Sequence, residues 1–261
     1  MTAFITGGGS GIGLRLAELL AEQGSRLAVF DLRLSGEVRR RLDRAGGATT
    51  FHEVDVRDAA ALESAVAAAV GEVGAPTLAI NSAGVQRNRP FLELSAADFD
   101  FVVDVNLRGS RNFAAAVLPR MAAGGRLVLI ASLAGLVGNY GYAAYNASKF
   151  GVVGLASALR IECRPRGITV SVVCPPEVQT PMVSEERRTA SAVSLATKDF
   201  AGVVEIDDLC RDILRGADRG EWMIVTGGRA RLTRHLARLF PGLMNRITDR
   251  MVAEALRREQ A

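Results

Sequence analysis

The chain has 261 residues, 49% of them hydrophobic, which suits one large domain or two small ones with a sizeable core. Three scattered cysteines (Cys163, Cys174, Cys210) and two distant histidines (His52, His235) exclude a disulfide frame, a zinc site and a His-based metal cluster. The net charge of +4 sits in the tail, where eight arginines from Arg229 onward face three carboxylates, so the body is near neutral and nucleic-acid binding is excluded.

In chain order, strands are predicted at 3–6, 26–30, 49–54, 77–81, 126–131, 169–174 and 222–225. Most are nearly continuous apolar runs, as in strands buried on both faces of a parallel sheet. Helical periods lie between them at 11–23, 36–45, 58–73, 96–122, 143–164 and 206–215. This regular alternation predicts a doubly wound α/β sheet with right-handed crossovers. Residues 1–228 read as one dinucleotide-binding domain, and 229–261 as a basic, amphipathic helical extension. Met1 leads at once into the strand-like "TAFIT", so no leader peptide is expected, and free thiols point to a reducing cytoplasm. The run 127–148 carries no charge, but its serine, asparagines, glycines and tyrosines fit a strand, a loop and a helix start rather than a membrane span.

"FITGGGSGIG" follows the first strand and contains T-G-x-x-x-G-x-G, with Gly7, Gly11 and Gly13 at the fixed positions and Gly9, Ser10 and Ile12 between them. A strand, a glycine-rich turn and a helix N-terminus make a phosphate cradle, because the backbone can approach closely and the helix end presents free N–H groups. Asp31 ends the second strand, where a carboxylate would accept hydrogen bonds from the adenosine ribose. It would repel a 2′-phosphate, which favours NAD(H) over NADP(H), although Arg33 and the run Arg39–Arg41 could offset that repulsion. The bland reading of Asp31 is a turn residue. Asp55 and Val56 follow the third strand near the expected adenine, and "INSAG" puts Asn81, Ala83 and Gly84 at the end of the fourth.

With these motifs in this order the chain resembles the short-chain dehydrogenases/reductases, over nearly all of residues 1–228. The resemblance implies a Rossmann fold with strand order 3-2-1-4-5-6-7 and a nicotinamide cofactor. The usual N-N-A-G reads N-S-A-G here, with Ser82 as the departure.

All three tyrosines fall within "YGYAAY". A phenol is a poor base near neutral pH unless its anion is stabilised. A lysine four residues on shares the helix face and can do this. Tyr145 has Lys149 at that offset, whereas Tyr142 has Asn146 and Tyr140 has Ala144. Ser132 lies thirteen residues before Tyr145, the family's offset. By resemblance, Ser132 binds the substrate oxygen, Tyr145 exchanges the proton, and Lys149 binds the nicotinamide ribose and tunes Tyr145. Asn106 in "DVNLRG" holds a proton-relaying water, or bends its helix, or both. In "CPPEVQTPM", Pro175, Val178 and Thr180 match a nicotinamide-contacting motif, with Pro176 where glycine is usual; Pro176 fixes φ and lacks an N–H.

Residues 183–205 occupy the place of the family's variable substrate lid. They are small and apolar from Ala190 to Val204, and the loop after Ser132 is uncharged, so a hydrophobic alcohol or ketone is expected. Tyr140 and Tyr142 line that pocket or pack in the core. The Pro-Pro motif and the extension are similar to a branch containing 3-ketodihydrosphingosine reductases, which commonly use NADPH. In the tail, Leu232, Leu236, Leu239, Leu243, Ile247 and Met251 make a helical stripe broken at Pro241 and flanked by arginines. It packs on the body or a second subunit, or rests on an anionic membrane. The resemblance also implies a homodimer or homotetramer through helices 96–122 and 143–164. Two other classes compete: a non-catalytic dinucleotide sensor, and a membrane-surface lipid-binding protein.

Overall fold

The computed structural model describes residues 1–179 and 191–259. Its central sheet is built from β1 (Thr2–Thr6), β2 (Arg26–Asp31), β3 (Thr49–Glu53), β4 (Leu78–Asn81), β5 (Arg126–Ile130), β6 (Thr169–Val173) and a last strand at Met223–Ile224. The order is β3-β2-β1-β4-β5-β6 and then the last strand, and every pairing is parallel. This is the predicted doubly wound topology. Its switch point lies between β1 and β4, where the chain reverses its direction of winding and leaves a crevice at the strands' C-terminal ends.

Side chains alternate across the sheet. Phe4, Ala28 and Leu127 face one side, and Ile5, Val29 and Val128 the other. The first face packs on α3 (Ala59–Val73), α5 (Gly109–Val117) and α6 (Ala143–Cys163), through Leu62, Val66, Phe113 and Val152. The second packs on α1 (Gly11–Glu22), α2 (Gly36–Ala45) and the helix Ile206–Asp218, through Leu16, Leu20, Leu42, Leu209 and Ile213. Apolar burial on both faces explains why the strands read as continuous hydrophobic runs.

Two departures from the sequence reading matter for the site. The helix expected over 96–122 is broken into α4 (Ala96–Val103), a π-helical turn at Asp104–Arg108, α5 and a short 3-10 turn at Leu118–Arg120. Pro119 has no N–H to continue the ladder, and the π turn is where Asn106 points away into the body. The second departure is a separate two-stranded parallel sheet, Glu177–Val178 with Val203–Val204, which clips together the two ends of the lid segment.

The helices Gly228–Leu239 and Pro241–Glu259 follow the last strand. The second lies against the lid helix Ala192–Asp199. Ala230, Thr233, Met244 and Ala255 are buried, while Leu232, Leu239 and Leu243 of the predicted stripe face outward. The stripe is therefore divided between the body and the surface.

Candidate active site

The crevice is a cavity of about 450 Å³ at the C-terminal ends of the strands. Its dinucleotide end is shaped by backbone. Gly7 has φ +66, and a Cβ there would lie 2.6 Å from the Ala83 nitrogen. A Cβ on Gly13 would run into the Gly7 carbonyl, and one on Gly9 would lie 2.9 Å from an Asp31 carboxylate oxygen. Ser10 precedes α1 without capping it through its side chain, so the helix's first N–H groups stay open to an anion. Asp31 is fixed by its own turn: Gly9 N–H donates to Oδ2 at 2.8 Å and Arg33 N–H to Oδ1 at 3.4 Å. The turn role and a place in the cavity wall thus coexist. Arg39 pairs with Glu53, and Arg41 with Glu18, so these two arginines of the run do not face the crevice. This cradle fits a dinucleotide.

Asp55 and Val56 line the same end. Arg57 grips Asp55 with Nε at 2.9 Å and Nη2 at 2.6 Å, and this ion pair holds the Asp55 carboxyl below its usual range. Val56 is fixed from behind, because Asn112 Nδ2 donates to its carbonyl at 2.9 Å.

At the other end Ser132 closes β5, with Oγ accepting from Ala134 N–H at 3.1 Å. Tyr145 and Lys149 come from the first turns of α6. The Lys149 ammonium lies 5.5 Å from the Tyr145 ring centre and donates to the Ile130 carbonyl at 3.0 Å. Lys149 is buried, and burial lowers its pKa from 10.5 to about 8. It still holds its proton at neutral pH. Gly84 lies against it, where a Cβ would be in ordinary contact with Nζ at 3.5 Å. Together these groups can move a proton on a substrate oxygen, with a fixed cation beside the phenol.

Gly7, Ser10, Gly11, Ile12, Asp31, Ala83 and Gly84 line the cavity, as do Ser132, Tyr145, Lys149, Pro175 and Val178. Gly9, Gly13, Asn81 and Asn106 stand behind that wall. Thr180 lies outside the described residues. Asn81 links elements: Thr6 Oγ1 donates to its Oδ1 at 2.7 Å, and its Nδ2 donates to Ser110 Oγ at 2.8 Å. The Asn106 side chain is fully engaged. Its Nδ2 donates to the Val85 carbonyl and to Ser148 Oγ, each at 2.9 Å, and its Oδ1 accepts from Val85 N–H at 2.8 Å. The helix-bending reading describes that amide; what remains for a water is the main-chain carbonyl, which already accepts from Ser110 Oγ.

Three contributors were missed. Asn146, noted in the sequence for not being a lysine, donates to the Ala134 and Val137 carbonyls at 2.7 and 2.8 Å, stapling the loop after Ser132 onto α6. Asn88 and Ser194 join the loop after β4 to the lid helix. Thr233, Met244, Thr248 and Met251 carry the tail into the cavity wall. The tail's 3–4 spacing signalled a buried face, but not what it covers.

A pH test follows from Lys149. Below about pH 8 it is charged in folded and unfolded chains alike, so its contribution to stability does not vary with pH. Between about 8 and 10.5 the folded chain has released the proton and the unfolded chain retains it, so stability rises with pH. Urea midpoints from pH 7 to 10 should move in favour of wild type relative to Lys149→Met above pH 8. A difference independent of pH would contradict a buried ammonium.

The family model "short chain dehydrogenase" matches residues 1–191. The oxidoreductase UcpA of Salmonella typhimurium is 38% identical over 196 residues, covering 73% of this chain and 74% of that protein. The 3-dehydrosphinganine reductase TSC10A of Arabidopsis thaliana is 37% identical over 233 residues, covering 85% of this chain and 69% of that one. The crystal structure of a short chain dehydrogenase from Mycobacterium paratuberculosis bound to NAD superposes with TM-score 0.79 at 27% identity, covering 88% of this chain and 97% of that one. The matched length, the sheet order and the motif positions agree, and the chain belongs to the short-chain dehydrogenase family of oxidoreductases.

Proposed function

We propose that the protein interconverts a secondary alcohol and its ketone on a hydrophobic, lipid-like substrate, with NAD(H) as cofactor. The observation that carries this is the buried Lys149 side chain beside Tyr145, in a cavity with a largely apolar wall. The nicotinamide, when bound, supplies the hydride acceptor or donor. Ser132 hydrogen-bonds the substrate oxygen. Tyr145 takes up or returns the proton on that oxygen, and Lys149 stabilises the tyrosinate. Asp31 holds the ribose hydroxyls. Asn106 keeps α4 and α5 bent around the site, and Thr180 meets the carboxamide as the family motif has it.

The substrate end is bounded by Val137, Phe200 and Ala201, and by Met244 and Met251 of the tail. These side chains offer apolar contact area, with Asn139, Glu177, Thr233 and Thr248 as the polar groups of the same cavity. The apolar share favours an aliphatic or alicyclic substrate, while Glu177 disfavours an acid. Likeness to TSC10A supports a second reading, reduction of a long-chain 3-keto lipid. With NADPH that reading must overcome the carboxylate of Asp31. A non-catalytic sensor has no use for the complete proton-transfer set.

We assign a homo-oligomer to the outer face of α6, where Ala147, Phe150, Gly154, Ala158 and Ile161 form an exposed stripe at helical spacing. We place the protein in the cytoplasm. Among the described residues no helix is long and apolar enough to cross a membrane. Peripheral contact is supported at the corner between the tail helices, where Leu239, Phe240 and Leu243 are 63%, 58% and 48% exposed. Arg238 and Arg246 flank them. That combination suits an anionic lipid surface.

Three measurements check these assignments. In a screen of hydrophobic alcohols and ketones read by NADH absorbance, Tyr145→Phe should lower kcat by about 10²–10⁴-fold; activity near wild type would remove Tyr145 from its role. Wild type should show higher kcat/KM with NAD(H) than with NADP(H), and Asp31→Ala should narrow that ratio; an unchanged ratio would contradict the ribose assignment. Full-length protein should sediment with phosphatidylglycerol vesicles, and a Leu239→Ser, Phe240→Ser, Leu243→Ser variant should not. Equal sedimentation of the two would remove the membrane contact.

A further inference from the structure

Tyr142 lines the cavity and is also packed; it is 3% accessible and held at both ends. Its hydroxyl accepts from Asn88 Nδ2 at 2.9 Å, and its ring meets the Tyr145 ring edge-on, with centres 6.1 Å apart at 64°. Asn88 belongs to the loop after β4. Its other amide atom, Oδ1, lies 3.2 Å from Ser194 Oγ, a donor on the lid helix. The same hydroxyl lies 3.0 Å from the Tyr140 carbonyl, so its single proton is shared between two acceptors that converge on one spot. Gly141 lets them converge. It has φ +80, and a Cβ there would lie 2.6 Å from Asn88 Oδ1 and 3.0 Å from Ser194 Oγ.

We propose that Asn88 and Ser194 are positioning residues that couple docking of the substrate lid to the orientation of Tyr145. The chain of contact runs from lid helix to Ser194, to Asn88, to Tyr142, to the catalytic ring. When the lid helix is seated, Ser194 completes the hydrogen bonding of Asn88, and Asn88 holds Tyr142 upright against Tyr145. When the lid lifts, Asn88 loses that partner, and the edge contact that fixes the Tyr145 ring is loosened. Proton transfer depends steeply on geometry, so the site is assembled only over an enclosed substrate. Neither Asn88 nor Ser194 touches the reacting atoms in this account. The proposal rests on the assignment of Tyr145 as the proton-transfer group.

The test compares wild type, Asn88→Ala, Ser194→Ala, Tyr142→Phe and the Asn88→Ala, Ser194→Ala double variant, with Tyr145→Phe as control. The substrate is whichever hydrophobic alcohol wild type oxidises best. Each single variant should lower kcat by about tenfold or less, as expected for one positioning contact. The dissociation constant for NADH, read by fluorescence, should stay within about twofold of wild type, which a general loss of structure would not allow. Because the contacts lie in series, the double variant should be no slower than Asn88→Ala alone. Asn88→Asp should recover much of the loss, since a carboxylate accepts from both the Tyr142 and Ser194 hydroxyls. Unchanged kcat in Tyr142→Phe and Ser194→Ala, with Tyr145→Phe inactive, would overturn the coupling and leave the function standing. Multiplying effects in the double variant would overturn the serial arrangement. Full activity of Tyr145→Phe would remove the assignment beneath it.

Discussion

Lys149 has to be buried and yet keep its proton near neutral pH, and the segments around it are arranged to permit both. Desolvation disfavours the ammonium and lowers its pKa to about 8. The Ile130 carbonyl at the end of β5 accepts one of its protons. Gly84, in the loop after β4, lies beside it. Gly135 seats the loop after Ser132 directly on the backbone of Lys149, where a Cβ would lie 2.7 Å from the Lys149 carbonyl. Two strand ends and one helix therefore converge on a single charge. The result is a cation that is dry, fixed and adjacent to a phenol, which is where electrostatic stabilisation of an anion is strongest.

The sheet sets up that convergence. Parallel strands place all their C-terminal ends along one edge, and the reversal between β1 and β4 opens the crevice there. The glycine-rich turn, Asp31, Ser132, Tyr145 and Lys149 therefore share one edge although the residues lining it are spread from Gly7 to Val178 in sequence. Buried amides then hold the loops in place. Asn81 ties β1 and β4 to α5, Asn106 ties the loop after β4 to α6 across the π turn, and Asn146 ties the loop after β5 to α6. Each amide supplies hydrogen bonds where the chain leaves regular structure.

What could be read from the sequence follows the range of the interaction involved. Strands, their alternation with helices and the glycine crossover are local patterns, and all were legible; the strand order came from the family resemblance and agrees with the sheet. The pairing of Tyr145 with Lys149 was also local, since it needed one helical turn, and the two side chains do meet. The π turn at Asn106 was not legible, because a tertiary contact with Val85 overrides an otherwise continuous helical period. Asn88, Asn146 and Ser194 gave no signal, for isolated polar residues in loops are common and their partners lie far away in sequence. The tail's stripe announced a buried face. Its division between cavity wall and exposed corner depended on where the lid helix lies.

The tail and the segment before it complete one wall of the cavity. Met244 and Met251 add adaptable apolar contact to the cavity, and the clip between Glu177–Val178 and Val203–Val204 holds the lid's two ends together. What the account asserts is hydride exchange between a substrate carbon and the nicotinamide in a site assembled around Lys149 and Tyr145. The most direct test uses an accepted alcohol deuterated at the carbinol carbon, with mass spectrometry of the cofactor after a single turnover. The account predicts that wild type moves the deuterium, as deuteride, onto the nicotinamide, and that Tyr145→Phe binds NAD with similar affinity but leaves the label on the alcohol. Reduced cofactor formed without the label would contradict it.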